Sequence, residues 1–445
     1  MRKYDSYKDS GIEWIGQIPS HWKNVKIKQL AVGENTLFLD GDWIESKEIV
    51  FSEDNIKYIT TGNIGEGKYK EQGSGYITEE TFEKLNCTEV FYGDLVISRL
   101  NPPIGRACII PNLGKRVVTS VDNVILRPNE EYSKSFLVHF FSNSKYYEFT
   151  LIEGRGATMQ RISRGILGNI KIVVPENIVE QTAIAHYLDR KTAEIDELIA
   201  DKKLLLKLYE DEKTAIINQA VTKGINPNVA MKASGIEWLG EIPEHWEVKR
   251  LKTIARVQTG RTPKIQNSNI DFFVNGELNW FTPSDFEGNG ELIDSNRKLI
   301  PEAIEAGEVE LFPEYSIYLV SIGATLGKVG FFRYKASANQ QINIITFQPT
   351  FNPLFGYYFL VGNKDMITLE ADYTTLPILN QSKTKGLFFA VPPPGEQKSI
   401  INYIETESSR VQAKKAKTEK LIELLIEYRT ALISEVVTGK IKVIE

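Results

Sequence analysis

Residues 10–22 read Ser10-Gly11-Ile12-Glu13-Trp14-Ile15-Gly16-Gln17-Ile18-Pro19-Ser20-His21-Trp22, and residues 234–246 read Ser234-Gly235-Ile236-Glu237-Trp238-Leu239-Gly240-Glu241-Ile242-Pro243-Glu244-His245-Trp246. Ten of the thirteen positions are identical, including both tryptophans and the histidine. The two copies lie 224 residues apart, which is far longer than the unit of a solenoid. The sequence therefore predicts two similar halves within one polypeptide.

A second repeated block follows in each half. It begins at Glu180-Gln181 and at Glu396-Gln397, and the two copies then align without a gap for about forty residues. Neither run contains Gly or Pro, so each predicts one long helix. Gly224 and Gly439 lie where a left-handed C-terminal cap is expected. Asn177 and Glu180 match an N-cap with its capping-box partner, which places the first helix start near Asn177.

An apolar stripe runs along both predicted helices. Apolar residues recur at seven-residue steps, interrupted once in each copy by Lys202 or Thr418. They are Leu188, Ile195, Tyr209 and Ile216 in the first copy and Ile404, Val411, Leu425 and Leu432 in the second, widened by Ile184, Leu198, Leu205, Ile400 and Leu421. Matched stripes favour pairing of the two helices as a stiff spacer. The alternative is that each helix packs only on its own half.

Two regions of about 150 residues separate the repeated blocks. We refer to residues 23–175 as the first head and to residues 247–392 as the second head. Both contain short β-type runs, Gly/Asn/Pro turns and many aromatic residues, which is typical of mixed globular domains. The segments that predict a turn, a strand, a glycine-bounded turn and another strand are residues 90–99 and 105–110 in the first head and 311–321 and 327–332 in the second. We expect a shared scaffold with divergent surfaces.

Composition limits the class of protein. The 445 residues are enough for two to four domains, and two cysteines, Cys87 and Cys108, argue against a disulfide framework and for a reducing cytoplasm. No apolar run approaches the length of a membrane span, and the first ten residues are polar, unlike a signal peptide. The net charge of −5 is unusual for a free-standing DNA-binding domain. Residues 155–171 and 256–264 nevertheless carry only basic charges, so phosphate contacts are expected to be local or shared with a partner.

Several segments resemble catalytic motifs but lack an essential part. Asn101-Pro102-Pro103-Ile104 lacks the aromatic residue of adenine methyltransferases, and no glycine-rich cofactor loop accompanies it, so we expect a loop between strands. Residues 62–68 have P-loop spacing, but Tyr69 stands where Ser or Thr must hold magnesium, so a glycine-rich turn is expected. The triplets Glu45-Ser46-Lys47 and Glu66-Gly67-Lys68 arise easily by chance in so charged a chain. His21 and His245 are expected to be packing or capping residues.

The order of these motifs resembles the specificity subunit of type I restriction-modification enzymes. The resemblance rests on the repeated Gly-Ile-Glu-Trp segment, a β-rich domain, and a helix that opens at Glu-Gln and closes on Val-Thr and glycine, twice over the whole chain. Residues 259–263 and 279–286 are also similar to openings of the family's target recognition domains. Each motif alone is modest, whereas the doubled arrangement is specific.

The resemblance implies an α+β fold with a pseudo-twofold internal repeat. Two similar α/β target recognition domains are separated by two long, antiparallel, coiled-coil-like helices. The implied segments are residues 1–22 (N-terminal conserved segment), 23–175 (recognition domain 1), 176–225 (central conserved helix), 226–246 (repeated conserved segment), 247–392 (recognition domain 2) and 393–445 (C-terminal conserved helix).

The resemblance also implies a function and partners. Each recognition domain reads one half of a bipartite double-stranded DNA site in the major groove, while the helices set the spacing and dock two modification subunits. Those methyltransferase subunits carry S-adenosylmethionine, and restriction subunits use ATP and Mg to translocate and cleave DNA. The specificity subunit itself is non-catalytic, has no cofactor of its own, does not associate with a membrane and acts in the cytoplasm.

Candidate DNA contacts follow from residue chemistry. Arg suits guanine and phosphate, Asn suits adenine, and Lys suits phosphate. The candidates are Asn63, Arg99, Arg106, Arg161, Ser163 and Arg164 in the first head, and Thr259, Arg261, Lys264, Ser284, Lys328, Gln381 and Lys383 in the second. The alternative for each is an ordinary surface or turn residue. Two other classes of function stay open: a scaffold whose heads bind proteins, and a self-sufficient enzyme, which the incomplete motifs disfavour.

Overall fold

The computed structural model describes the chain except for residues 1, 54, 74, 157–158, 265–270, 374–375 and 444–445. The chain forms two compact units, the first made of residues 1–202 and 420–445 and the second of residues 203–419. Each unit contains one head, and each of two long helices is divided between the units.

The first unit builds its head from short strands and helices. The strands are β1 (Tyr7–Asp9), β2 (Gln17–Pro19), β3 (Trp22–Lys26), β4 (Leu37–Asp40), β5 (Ile56–Ile59), β6 (Gly75–Ile77), β7 (Leu95–Ser98), β8 (Ala107–Ile109), β9 (Val117–Thr119), β10 (Asn123–Arg127) and β11 (Lys171–Pro175). The helices are α1 (Glu79–Leu85), α2 (Lys134–Phe140), α3 (Ser144–Glu153), α4 (Arg164–Asn169) and the 46-residue α5 (Ile178–Lys223).

An antiparallel sheet of order β4-β10-β7-β8 forms the centre of the first head. Alternate residues of a strand face opposite sides of the sheet, and in this sheet both sets are buried. Leu95 and Leu126 pack with Phe136 of α2 on one face, whereas Val96 and Ile125 belong to the core on the other. A second sheet has the order β6-β5-β9, with β5 and β9 parallel. Strands β3 and β11 pair, so the chain enters and leaves the head on neighbouring strands.

The second unit repeats this plan. Its strands are β12 (Met231–Ala233), β13 (Glu241–Pro243), β14 (Glu247–Arg250), β15 (Ala255–Thr259), β16 (Leu278–Phe281), β17 (Gly290–Glu291), β18 (Lys298–Leu299), β19 (Ile317–Val320), β20 (Val329–Phe331), β21 (Ser337–Ala338), β22 (Ile342–Phe347), β23 (Asp372–Tyr373), β24 (Pro377–Ile378) and β25 (Phe388–Val391). Its helices are α6 (Glu302–Glu305), α7 (Pro353–Gly362), α8 (Lys364–Leu369), α9 (Gln381–Gly386) and the 44-residue α10 (Pro394–Val437).

The central sheet of the second head has the order β15-β22-β19-β20-β17. It matches β4-β10-β7-β8 of the first head, with one further strand, β17, parallel to β20. Ile317 and Leu319 pack with Phe355 of α7 on one face, and Tyr318 and Phe281 lie in the core of the other. The predicted α+β fold with an internal repeat is therefore confirmed, including the shared scaffold of the two heads.

Within each unit, α5 and α10 run antiparallel. In the first unit Arg429 Nε lies 2.8 Å from Asp196 Oδ1, and Leu188 shares a core with Val436. In the second unit Arg410 Nη2 lies 3.1 Å from Glu212 Oε1. Further along in that unit, residues 217–221 of α5 share a core with residues 400–404 of α10. Residue numbers rise along one helix as they fall along the other, so the predicted pairing is confirmed.

Two details of the predicted stripe and cap differ from the structure. Leu198 and Leu421, expected in the seam, are 39% and 40% exposed. Asn177 does cap α5, since its Oδ1 accepts from Val179 N, but the capping-box role of Glu180 is wrong. The Glu180 carboxylate instead accepts hydrogen bonds from the side chains of Tyr4, His21 and Trp22. The helix ends are as predicted, with Gly224 and Gly439 at φ of +74° and +71°.

The repeated Trp-His segment fastens each head to the helices. In the first unit Glu180 accepts from Trp22 Nε1 at 3.0 Å, from His21 Nε2 at 2.9 Å and from Tyr4 Oη at 3.1 Å. In the second unit Glu396 accepts from His245 Nε2 at 2.7 Å. Trp22 and Trp246 are fully buried against the helix ends. The histidines therefore pack and hydrogen-bond at a junction, as the sequence predicts.

Candidate functional site

One edge of the central sheet gathers most candidates of the first head. Strands β4 and β7 end at this edge, and β10 and β8 begin there, because the sheet is antiparallel. Asp40 ends β4, Arg99 follows β7, Asp122 precedes β10 and Arg106 precedes β8. We call this the first edge. The loop of Asn101–Ile104 lies here between two strands, as expected.

Arg99 is buried within the first edge and does not reach the surface. Its Nη1 donates to Ile162 O at 3.1 Å, its Nη2 donates to Val121 O, and the same nitrogen lies 3.1 Å from Asp40 Oδ1. Burial lowers the pKa of this guanidinium below its usual range, although the nearby Asp40 carboxylate opposes the shift. Both terminal nitrogens donate within the protein and the side chain is 4% exposed, so Arg99 supports the edge instead of contacting a ligand.

Arg106 ties two loops to the first edge. Its Nε donates to Ile64 O at 2.7 Å and its Nη2 to Thr61 O at 2.8 Å, while Nη1 donates to Asn101 O at 2.7 Å. Asn63 is buried in the first of these loops. Its Nδ2 donates to the carbonyls of residues 70 and 72, and its Oδ1 accepts from the amide of residue 60. Both side chains are therefore committed to loop structure.

Arg161, Ser163 and Arg164 are the candidates that the first edge exposes. Arg161 Nη2 lies 3.0 Å from Asp122 Oδ1, with 41% and 24% of the two side chains exposed. Arg164 Nε lies 3.6 Å from Asp40 Oδ2. Ser163 caps α4, since its Oγ accepts from Ile166 N at 3.2 Å. These partly exposed ion pairs contribute little to stability, so a ligand can replace them at small cost.

The equivalent edge of the second head lies where β15 and β19 end and β22 and β20 begin. We call it the second edge. Thr259 ends β15 and its Oγ1 donates to Asn343 Oδ1 at 2.8 Å. Arg261 and Lys264 follow and are exposed. No hydrogen bond or ion pair joins the Arg261 guanidinium to another side chain in the part of the chain that the structure describes.

The remaining candidates of the second head are tied to the protein to different degrees. Lys328 is half-buried and its Nζ donates to Phe286 O at 2.8 Å. Ser284 is exposed on the same turn, with its Oγ 2.7 Å from Thr282 Oγ1. Gln381 Nε2 donates to Val257 O at 3.0 Å, and Lys383 Nζ donates to Asp372 Oδ1 at 2.7 Å. The second edge brings Thr259, Arg261 and Gln381 together, whereas Lys264 is held beside Glu308 through its backbone amide.

The two edges match bond for bond in their backbones. The Gly41 and Gly260 amides donate to the first residue of β10 and of β22, and a Cβ at either glycine would overlap a carbonyl oxygen of the neighbouring strand. Further matched bonds define equivalent positions. The bond from Asp42 N to Thr119 O corresponds to the bond from Arg261 N to Ala338 O. The bond from Arg99 N to Asp122 O corresponds to that from Ser321 N to Gln341 O. The bond from Ile162 N to Arg99 O corresponds to that from Leu379 N to Ser321 O.

Side chains at these equivalent positions differ in chemistry. Four charged residues of the first edge correspond to neutral residues in the second: Arg99 to Ser321, Asp122 to Gln341, Arg161 to Ile378, and Arg164 to Gln381. At a further position the charge is reversed, since Asp42 corresponds to Arg261. Arg106 and Lys328 are also equivalent, and each donates to the carbonyl at the end of a matched turn, Ile64 or Phe286. One scaffold therefore presents two different polar surfaces.

Sequence reasoning missed several residues of these edges. Trp43 follows Asp42 in the first edge and is 69% exposed, while the other tryptophans are buried or half-buried. Asp122 and Gln341 were missed because single acidic or amide residues carry no motif. Gln340 is exposed and its Oε1 accepts from Thr262 Oγ1. These residues lie at matched strand ends of the two heads, but their equivalence can be recognised only from the register of the strands in each sheet.

The described residues contain neither a group of three or more His, Cys, Asp or Glu side chains placed to hold a metal, nor a helix long and apolar enough to cross a membrane.

Comparisons with known proteins agree with this repeated architecture. The family model of the type I restriction modification DNA specificity domain matches residues 19–208 and 243–423. The type I restriction enzyme MjaVIII specificity subunit of Methanocaldococcus jannaschii is 24% identical over 434 residues, covering 90% of this chain and 93% of that protein. A chain from a structure on complex assembly and conformational transition of the type I R-M system matches with a TM-score of 0.66 at 14% identity, over 95% of this chain and 99% of that chain. The HsdS subunit of Thermoanaerobacter tengcongensis matches with a TM-score of 0.58 at 14% identity, over 95% and 98%.

Proposed function

The chain belongs to the type I restriction modification DNA specificity family, and on this basis we propose that it is the sequence-specific DNA-binding subunit of a type I restriction-modification complex. Each head reads one half of a bipartite site in double-stranded DNA. The observation that carries the proposal is the pair of matched edges. Their backbones agree bond for bond while their exposed side chains differ, as two heads that read different sequences require.

We assign the DNA contacts to exposed and partly exposed side chains at the edges and on the segments next to them. In the first head these are Arg161, Ser163 and Arg164, and in the second head Thr259, Arg261, Lys264, Ser284, Gln381 and Lys383. Asn63, Arg99, Arg106 and Lys328 hold the edge in shape instead. Arginine and lysine supply phosphate contacts and therefore affinity, whereas side chains that reach base edges supply specificity. A chain with a net charge of −5 concentrates these contacts on two small surfaces.

The binding experiment uses the chain assembled with modification subunits. Arg161→Ala and Arg261→Ala are expected to weaken affinity for duplex DNA. Log affinity falls as log salt rises, and a variant that loses a phosphate contact makes this negative slope shallower by about 0.9. Arg116→Ala and Arg333→Ala are matched controls, because both arginines are exposed and ion-paired away from the edges. Salt-independent binding, or equal effects of all four variants, would contradict the proposal and favour a protein-binding scaffold.

We further propose that α5 and α10 set the spacing between half-sites and dock two methyltransferase subunits. Leucines at equivalent positions support this, because Leu208 of α5 in the second unit and Leu424 of α10 in the first are 51% and 47% exposed. A cluster of exposed apolar side chains on one helix is typical of a protein interface, whereas a single one is not. Leu204 extends one patch, and Leu421 and Tyr428 extend the other.

The docking proposal has a direct test. Leu208→Asp and Leu424→Asp are each expected to remove one methyltransferase subunit from the complex, as measured by mass photometry, and the double variant to remove both. Full assembly of the double variant would refute the docking site. In this proposal the chain is non-catalytic and carries no cofactor, while S-adenosylmethionine is bound by the modification subunits, and ATP with Mg by restriction subunits.

A further inference from the structure

The two edges differ in chemistry at two neighbouring positions that are equivalent in the two heads. Arg161 lies against Asp122 in the first edge, and Ile378 and Gln341 occupy the same two places in the second. The backbone of Leu100 forms a β-bridge with that of Arg161, and Ile322 forms the matching β-bridge with Ile378. The backbones are therefore held alike, and only the side chains change.

The first pair has the chemistry of a reader for a G·C base pair. An arginine fork donates to O6 and N7 of guanine, and a carboxylate accepts from N4 of cytosine. Arg161 and Asp122 are adjacent, opposite in charge and both partly exposed, so their mutual contact can be exchanged for contacts with the two bases. Arg99, which is equally basic, is buried and cannot compete for this role.

The second pair has the chemistry of a reader for an A·T base pair. An amide side chain offers a donor and an acceptor together, which is the pattern of the adenine edge in the major groove, and an apolar side chain contacts the thymine methyl group. Gln341 is half-buried and oriented, since its Oε1 accepts from Asn339 Nδ2 at 3.0 Å. Ile378 is half-buried, and the backbone of Ser321 and Ile322 is paired with the chains of both Gln341 and Ile378. No charge occupies either position.

We propose that these paired positions determine base identity, so that the first half-site carries a G·C pair where the second carries an A·T pair. The proposal rests on the proposed function and specifies the DNA that each head takes. It assigns Arg161 with Asp122, and Gln341 with Ile378, as specificity-determining residues.

The test uses the full chain assembled with its modification subunits to methylate a random-sequence DNA library, followed by sequencing of the methylated adenines. Arg161→Gln is expected to lower the preference for guanine over adenine at one position of one half-site by roughly ten-fold or more, leaving the other half-site unchanged. Arg161→Lys keeps the charge but loses the fork, so it is expected to relax the same position. Gln341→Ala is expected to relax one position of the other half-site.

The outcomes separate the two levels of the argument. A wild-type complex that yields no bipartite motif contradicts the proposed function itself. A bipartite motif that survives Arg161→Gln, Arg161→Lys and Gln341→Ala unchanged, with only uniformly weaker methylation, overturns this inference alone and makes Arg161 a phosphate contact. Arg116→Gln is the control for an arginine of similar exposure, and its motif is expected to equal that of the wild type.

Discussion

The carboxylate of Glu180 is predicted to contribute more to stability than its repeat counterpart, Glu396. In Glu180→Ala, the fully buried Trp22 indole N–H and the buried Tyr4 hydroxyl both lose their acceptor. An unsatisfied buried donor costs about 1–3 kcal/mol, so the free energy of unfolding is expected to fall by about 2–6 kcal/mol. The half-exposed contact with His21 adds little to this loss.

The counterpart variant is the matched control. Glu396 accepts a side-chain hydrogen bond from His245, and its side chain is 25% exposed against 9% for Glu180. The Trp246 Nε1 has no acceptor among the described residues, so Glu396→Ala leaves no additional buried donor unpaired. Its expected loss is about 1 kcal/mol or less.

The assay is urea unfolding of the full chain, followed by tryptophan fluorescence and circular dichroism. Because the chain has two units, the unfolding curve is fitted with two transitions, and the Glu180→Ala loss is expected in only one. Glu180→Gln keeps a carbonyl oxygen as acceptor, so an intermediate loss is expected. Equal losses for Glu180→Ala and Glu396→Ala, or a loss below 1 kcal/mol for Glu180→Ala, refute the reasoning.

Three further predictions concern the heads. Arg106→Ala leaves several backbone carbonyls without a donor and is expected to lower stability by about 2–4 kcal/mol, against about 1 kcal/mol for Lys328→Ala, as measured by thermal unfolding; similar losses would contradict the difference in bonding. Burial raises the pKa of the Cys87 and Cys108 thiols to about 12, so neither is expected to react with a thiol reagent at pH 8 until urea is added, and rapid labelling of the native chain would be the opposite result. DNA binding is expected to quench the fluorescence of exposed Trp43, and the change should vanish in Trp43→Phe; a change retained in that variant would assign it to another tryptophan.

Local signals explain which parts of the fold were predictable. The caps at Gly224 and Gly439 and the long uninterrupted helices depend on residues close together in the chain, and the structure agrees. The role of Glu180 depends on Trp22, 158 residues away in sequence, and no local pattern indicates such a bond. A glutamate three residues after an N-cap is the usual partner in a capping box, and a glutamate is equally able to accept a long-range hydrogen bond. The sequence pattern therefore predicted the capping box, which the structure does not contain.

The candidate site was predictable in composition but not in exposure. Arginine is a sound candidate for DNA contact, yet Arg99 and Arg161 cannot be distinguished without knowing which one the sheet buries. Arg99 is buried where its guanidinium donates to the backbone carbonyls of Val121 and Ile162, whereas the Arg161 side chain is 41% exposed. Asp122 and Gln341 can be recognised as equivalent site residues only from the register of the sheets, since the backbone bonds that make them equivalent join strands separated in sequence.

The central claim is that this chain directs methylation to a two-part DNA sequence. The most direct test maps methylated adenines across the genome of the source cells, with and without the gene for this chain. The account predicts a single motif of two fixed half-sites around a spacer of constant length, present only when the chain is made. An identical methylation map in both strains, or a chain-dependent motif with one undivided half, would contradict it.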